Sequence, residues 1–195
     1  MRNRLLFAVL AAFTVTLSAC GINSIPTAEE NAKAKWADVQ NQYQRRADLI
    51  PNLVNTVRAA AQQERTVLRE VTEARASASR ITVTGEQLTD PDAVARYAAA
   101  QNQLTLSLQR LQEAYPELRT NQNFLSLQDQ LEGTENRIAV ARRDYNAAVQ
   151  AYNTEIRTFP GVVGARVIYG SQPMAPFQAE EAAQRAPGVD FGNQQ

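Results

Sequence analysis

Apolar and small residues return at alternating steps of three and four along most of this chain, and that register constrains its fold more than any other feature. The first series is Trp36, Val39, Tyr43, Arg46, Ile50, Leu53, Val57, Ala60, Glu64, Val67, Val71, Ala74 and Ala78. Residues so spaced form a stripe along one helix face, because a turn takes 3.6 residues. Thr27-Ala28-Glu29-Glu30 has the form of a capping box, with Thr27 as N-cap, and predicts where this helix starts. Pro51 interrupts it, and a mid-helix proline costs ~3 kcal/mol. The register passes through Pro51 without a slip, and Pro51 lies off the seam. The pattern therefore favours a kinked continuous helix over a turn at Pro51.

Ile81 to Asp90 breaks the periodicity and reads as a loop. Asp90 as N-cap with Pro91 at the first helical position starts a second seam. It runs Val94, Tyr97, Gln101, Leu104, Leu108, Leu111, Tyr115, and Pro116 ends it. Thr120 to Asn123 offers caps for a third, through Phe124, Leu127, Leu131, Thr134, Ile138, Ala141, Tyr145, Ala148, Tyr152, Glu155 and Phe159. Val149 and Ile156 widen this stripe to a bundle-like face. No stretch alternates with period two over a useful length. The fold class predicted is all-α: an antiparallel bundle of three long helices, or four if Pro51 is a true turn, with a short C-terminal helical or irregular tail.

The start of the chain reads as an address. Met1-Arg2-Asn3-Arg4 is basic, Leu5 to Leu17 is apolar apart from two threonines, and Leu17-Ser18-Ala19-Cys20 follows. That is the layout of a secretory signal peptide. As an uncleaved membrane helix, residues 5–19 would span only ~22 Å against a hydrocarbon core of ~30 Å. The boundaries predicted are a signal over 1–19, a tether over 20–26, the bundle over 27–160 and a tail over 161–195. In that tail Val162, Val163, Val167, Ile168 and Tyr169 suggest a short helix over the bundle end. Phe177, Val189 and Phe191 are candidates for docking onto the bundle, and Ala179 to Arg185 for a further helix.

Composition narrows the chemistry. The 195 residues include no His and one Cys, with 20 basic and 20 acidic side chains. Ser-His-Asp and Cys-His machinery are excluded, and so are His-bearing zinc sites and an internal disulfide. Loss of residues 1–19 removes Arg2 and Arg4 and no acid, leaving a formal −2. No basic cluster suggests nucleic acid, and no cofactor is expected.

Leu-Ser-Ala-Cys also resembles a bacterial lipobox. That resemblance implies diacylglyceryl transfer to the Cys20 thiol, cleavage after Ala19, and acylation of the new amino terminus. Gly21, not Asp, follows Cys20, which in a Gram-negative cell leans toward the outer membrane facing the periplasm. Further on, Gln44-Arg45-Arg46-Ala47-Asp48-Leu49-Ile50-Pro51-Asn52-Leu53-Val54 resembles the signature of the LemA family. Glu73-Ala74-Arg75-Ala76, Glu113-Ala114-Tyr115-Pro116-Glu117-Leu118 and Asn123-Phe124-Leu125-Ser126-Leu127-Gln128 are similar to it too. So are Leu131-Glu132-Gly133-Thr134-Glu135-Asn136-Arg137-Ile138-Ala139, Ala141-Arg142-Arg143-Asp144-Tyr145-Asn146, Tyr152-Asn153 and Phe159-Pro160. Pro187-Gly188-Val189-Asp190-Phe191 resembles the family's close. The family implies a membrane-anchored, extracytoplasmic helical bundle and no particular chemistry. Many members use an N-terminal membrane helix where this chain has a lipobox. After Phe159 and Pro160 it reads Gly-Val-Val-Gly-Ala-Arg-Val-Ile-Tyr-Gly, departing from the family's usual Gly-Phe turn.

The candidate site residues each carry two readings. Arg46 and Glu64, ~27 Å apart on a straight helix, are either register devices satisfied by other helices or parts of a binding site. Glu132 and Glu135 can share a helix face, for acid–base or metal chemistry or for ion pairs with Arg137, Arg142 or Arg143. Tyr145-Asn146 and Tyr152-Asn153 repeat at a heptad, as core tyrosines with polar handles or as an aromatic cleft for peptide or lipid. The function expected is a lipid-anchored, non-catalytic scaffold or interaction module, held at the membrane through Cys20, with an envelope protein as partner. The alternatives are an adaptor of a membrane protease or assembly machine, which the resemblance to the LemA family alone implies, and a wall-glycan hydrolase using two carboxylates ~5–10 Å apart.

Overall fold

The computed structural model describes residues 23–60 and 66–178. The signal, Cys20, Glu64, the predicted helix over 179–185, Val189 and Phe191 lie outside them. Four long helices make the described fold: α1 (Ser24–Ala60), α2 (Thr66–Arg80), α3 (Pro91–Ala114) and α4 (Gln122–Glu155). A single turn, α5 (Gly161–Gly164), runs on into a π-helical turn at Ala165–Tyr169.

The first helix starts earlier than its capping-box pattern predicts. Thr27 is inside α1, and its hydroxyl donates to the Asn23 carbonyl instead of capping the helix end. Pro26 fits here because amides of the first turn have no intrahelical acceptor anyway. Burial of Ile25, fully inaccessible, anchors the added turn, so the segment predicted as tether is helical from Ser24.

Pro51 does not end the helix, as the register implied: α1 runs through it to Ala60. Without an amide proton, Pro51 leaves the Ala47 carbonyl without its helical donor. Arg75 Nε of α2 donates to that carbonyl at 2.7 Å.

The seam over 36–78 does not belong to one helix. The chain reverses between Ala60 and Thr66, and α2 returns antiparallel to α1. Arg75 reaches Ala47, and farther along Val83 accepts from Trp36 Nε1 at 3.0 Å. The bundle thus has four helices, split after Ala60 and not at Pro51. The three-and-four arithmetic resumes in phase on α2, where Val71, Ala74 and Ala78 are buried, so spacing alone did not expose the turn.

Asp90 caps α3, accepting from the Asp92 amide, with Pro91 in the first turn. Asn121 caps α4, accepting from the Asn123 and Phe124 amides. Every residue of the second seam is buried. The third holds to Tyr152, but Phe159 is 84% exposed, a correction to its place on the seam. The helix has ended at Glu155, and Gly161 returns so close to the Glu155 carbonyl that a Cβ would collide with it.

The core has an aromatic half and an aliphatic half. Trp36, Tyr43, Tyr97, Tyr145 and Phe177 meet in the half of the bundle that holds the first half of α1, with Trp36 5.0 Å from Tyr145 and 5.2 Å from Tyr97 between ring centroids. Ile50, Leu53, Val57, Leu104, Leu111 and Phe124 fill the other end.

Candidate functional site

Between the two halves lies a polar layer, built where the seams carry Arg46, Gln101 and Thr134 in place of apolar residues. All are buried, Arg46 to 1% exposure. Arg46 Nη1 donates to Glu135 Oε1 of α4 at 2.6 Å and to Thr105 Oγ1 of α3 at 2.7 Å. Its Nη2 donates to both the carbonyl and the side-chain oxygen of Gln101, at 3.0 and 2.9 Å. Gln101 Nε2 in turn reaches the Ala78 carbonyl at the end of α2, at 3.5 Å. The guanidinium also lies 4.9 Å from the Tyr43 ring centroid. One buried cation therefore ties α1 to α3 and α4 and, through Gln101, to α2. A planar fork with five donors suits this; a lysine would reach fewer acceptors.

The two glutamates separate in role. Both line an open groove of about 350 Å³ between α3 and α4, as a shared helix face predicts. Glu135, however, is held by Arg46, and Glu132 accepts from Gln128 Nε2. Among the described residues neither glutamate forms an ion pair with Arg137, Arg142 or Arg143; the interhelix ion pair that forms is Glu135 with Arg46. Arg142 lies over the Phe177 ring, 4.2 Å from its centroid, and points an N–H at the Gln178 carbonyl at 3.4 Å.

The repeated Tyr-Asn pairs of α4 form a second constellation. Past the π turn, Gly170 adopts a left-handed conformation (φ 58°), and residues 171–178 run extended, antiparallel to α4. Pro173 and Pro176 push their predecessors out of the helical region and lack an amide to satisfy. Asn153 donates to the Met174 carbonyl at 2.8 Å and accepts from its amide at 2.9 Å. One heptad earlier, Asn146 does the same with Phe177, at 2.9 and 2.7 Å. Tyr152 donates to the Gln172 carbonyl and Tyr145 to that of Ala175. The Ala175 amide donates to Leu88, closing the strap on the loop before α3. Heptad spacing sets the two pairs ~10.5 Å apart, near the ~10 Å that three residues of extended chain cover. The predicted aromatic cleft is thus a backbone-reading groove, and the chain's own strap fills it. Phe177 docks as expected, buried against Trp36 and Tyr43.

Burial raises the Tyr97 and Tyr145 hydroxyls above a free tyrosine's pKa. It does the same at Tyr43, where the charges of Arg142 and Arg46 oppose it.

Sequence reasoning singled out Arg46 and its partner Glu135 as candidate site residues, but not the partners Gln101 and Thr105, nor Arg75. Gln101 carried a signal, as a polar break in the second seam. Arg75 carried none, because the need it meets arises on another helix.

These features define a class: an antiparallel four-helix bundle with a cationic staple at mid-height and a C-terminal strap clamped along its last helix. The LemA family model matches residues 35–191, most of the chain, and the protein belongs to the LemA family. No curated protein matches it in sequence.

Proposed function

We propose that this protein is a lipoprotein of the bacterial envelope, held at a bilayer by acyl chains on Cys20, and that it acts there as a non-catalytic helical scaffold or interaction module. The observation that carries the reading is Leu17-Ser18-Ala19-Cys20, with the chain's one cysteine at the acceptor position. More than one acyl chain gives stable anchoring without a spanning helix. Among the described residues no helix is long and apolar enough to cross a membrane. The scaffold reading is supported by what the candidate polar groups do: the seam breaks Arg46 and Gln101, and Asn146 and Asn153 beside the third seam, are engaged in joining parts of the fold. In a Gram-negative cell, Gly21 after the cysteine supports the outer membrane, facing the periplasm. The partner is an envelope protein bound on the outer helix faces.

The test is exchange of residues 1–20 for a secretory signal cut by the ordinary signal peptidase. The reading predicts that the protein leaves the membrane fraction for the periplasmic extract, with its helical circular dichroism intact. Retention in the membrane fraction would contradict anchoring through Cys20. Photo-crosslinking from exposed bundle positions tests the partner; cross-linked products absent at every position would contradict the interaction module.

A further inference from the structure

The exposed large apolar side chains of the described residues are not evenly spread. Leu106, Leu125 and Val140 stand singly on the long helices. The others, Phe159, Val163, Val167, Ile168 and Tyr169, fall within eleven residues at one end of the bundle, with Phe159 84% and Val167 79% exposed. Dense exposed apolar surface of this kind marks a contact with a partner or a membrane. The short helical turns that carry it bury little of their own: Gly161, Gly164 and Ala165 face inward, and the larger side chains face out.

This end is also where the chain's start emerges. Ser24 Oγ donates to Glu155 Oε1 at the last turn of α4, and α5 contacts α1. Cys20 is four residues before Ser24, and a chain of four residues reaches at most ~14 Å. A lipid on Cys20 therefore keeps this end of the bundle within ~14 Å of the bilayer surface, whatever path the link takes. Arg157 and Arg166 are exposed beside the patch, and neither has an ion pair among the described residues. Basic side chains next to apolar ones suit an interface with anionic headgroups.

We propose that the patch of Phe159, Val163, Val167, Ile168 and Tyr169 inserts into the headgroup region of an anionic bilayer, so that the bundle stands on its lipidated end. The patch acts as a second contact that sets orientation, while the acyl chains supply retention. This inference rests on the anchoring of Cys20 proposed above. Its occupant is lipid, and a second copy or another protein is an alternative outcome of the test.

The full lipoprotein is purified in detergent and reconstituted into vesicles of phosphatidylethanolamine and anionic phosphatidylglycerol. Single variants Val167→Cys, Ile168→Cys and, at the far end, Glu113→Cys each carry a polarity-sensitive fluorophore. Flotation and the mass of the N-terminal peptide report anchoring separately. The proposal predicts blue-shifted emission at 167 and 168, quenched by nitroxide-bearing lipid, and water-like emission at 113. Flotation with water-like emission at 167 and 168 keeps the anchor and overturns the patch. Blue-shifted emission that nitroxide lipid does not quench also overturns it, in favour of protein covering the site. Quenched labels on a chain without acyl groups uphold the patch and overturn the anchor. Failure to float together with water-like labels overturns both.

Discussion

Arg46 shows at the scale of one residue how a buried charge is made tolerable. Its guanidinium reaches acceptors on two other helices, so desolvation is offset by hydrogen bonds that the unfolded chain does not hold in place. Arg46→Met removes those bonds and strands the Gln101 side-chain oxygen, the main-chain one keeping the Thr105 hydroxyl, and should lower stability by about 2–3 kcal/mol. Glu135→Gln should cost less, about 1 kcal/mol or under, because the Glu135 side chain is 42% exposed. Urea unfolding midpoints of the two variants check the order. The sequence showed Arg46 as polar within a seam, but it did not show which neighbour answered it, since that depends on which helices adjoin.

The buried tyrosines give a pH dependence at the same scale. Burial raises the pKa of Tyr97 and Tyr145 in the folded state. The folded chain then holds these protons more tightly than the unfolded chain, whose tyrosines titrate near ~10. The stability so gained is fully present below about pH 10 and is lost as pH rises above it toward the folded values. Unfolding midpoints should stay level on the neutral side and fall on the alkaline side of about pH 10. Tyr145→Phe should flatten part of that fall while costing about 1 kcal/mol at neutral pH, through the Ala175 carbonyl left without its donor.

At the scale of elements, α1 and α2 are coupled by a defect. Pro51 frees the Ala47 carbonyl and Arg75 supplies the donor. Arg75→Ala should cost about 1–2 kcal/mol in the natural chain and clearly less when Pro51→Ala restores a backbone amide. A double-mutant cycle by chemical denaturation measures the coupling, and additive effects would contradict the assignment. The strap is a second coupling. Asn146→Ala with Asn153→Ala should free residues 172–178 to exchange amide hydrogens faster while the helices stay protected, as read by hydrogen-exchange mass spectrometry. Legibility also divides at this scale. The helix starts at Asp90 and Asn121 were readable, because a cap acts on amides two or three residues away. The reversal after Ala60 was not, because the seam resumes on α2 in phase. Nor was the strap: the Tyr-Asn heptad announced a groove, yet its occupant lies some 20–30 residues downstream and is held through backbone atoms of any sequence.

The whole molecule has two unlike ends. At one end α1 begins, α4 finishes, and the exposed apolar side chains gather. At the other end lie the aliphatic half of the core and the turn from α3 into α4. With the anchoring proposed at Cys20, the bundle would present α1 through α4, ~55 Å of α1 alone, to the space beyond the membrane. The helical class and the family were legible in sequence, as the buried seams and the family match bear out. The asymmetry was not, because periodicity says which face of a helix is buried but not which end is bare. Everything in this arrangement depends on the chemistry at Cys20. Intact-mass and peptide mass spectrometry of the protein purified from a bacterial envelope tests it most directly. The account predicts a chain starting at Cys20, with diacylglycerol on the thiol and a fatty acyl group on the amino terminus. A chain that still begins at Met1, or one cut elsewhere with a free Cys20 thiol, would contradict it.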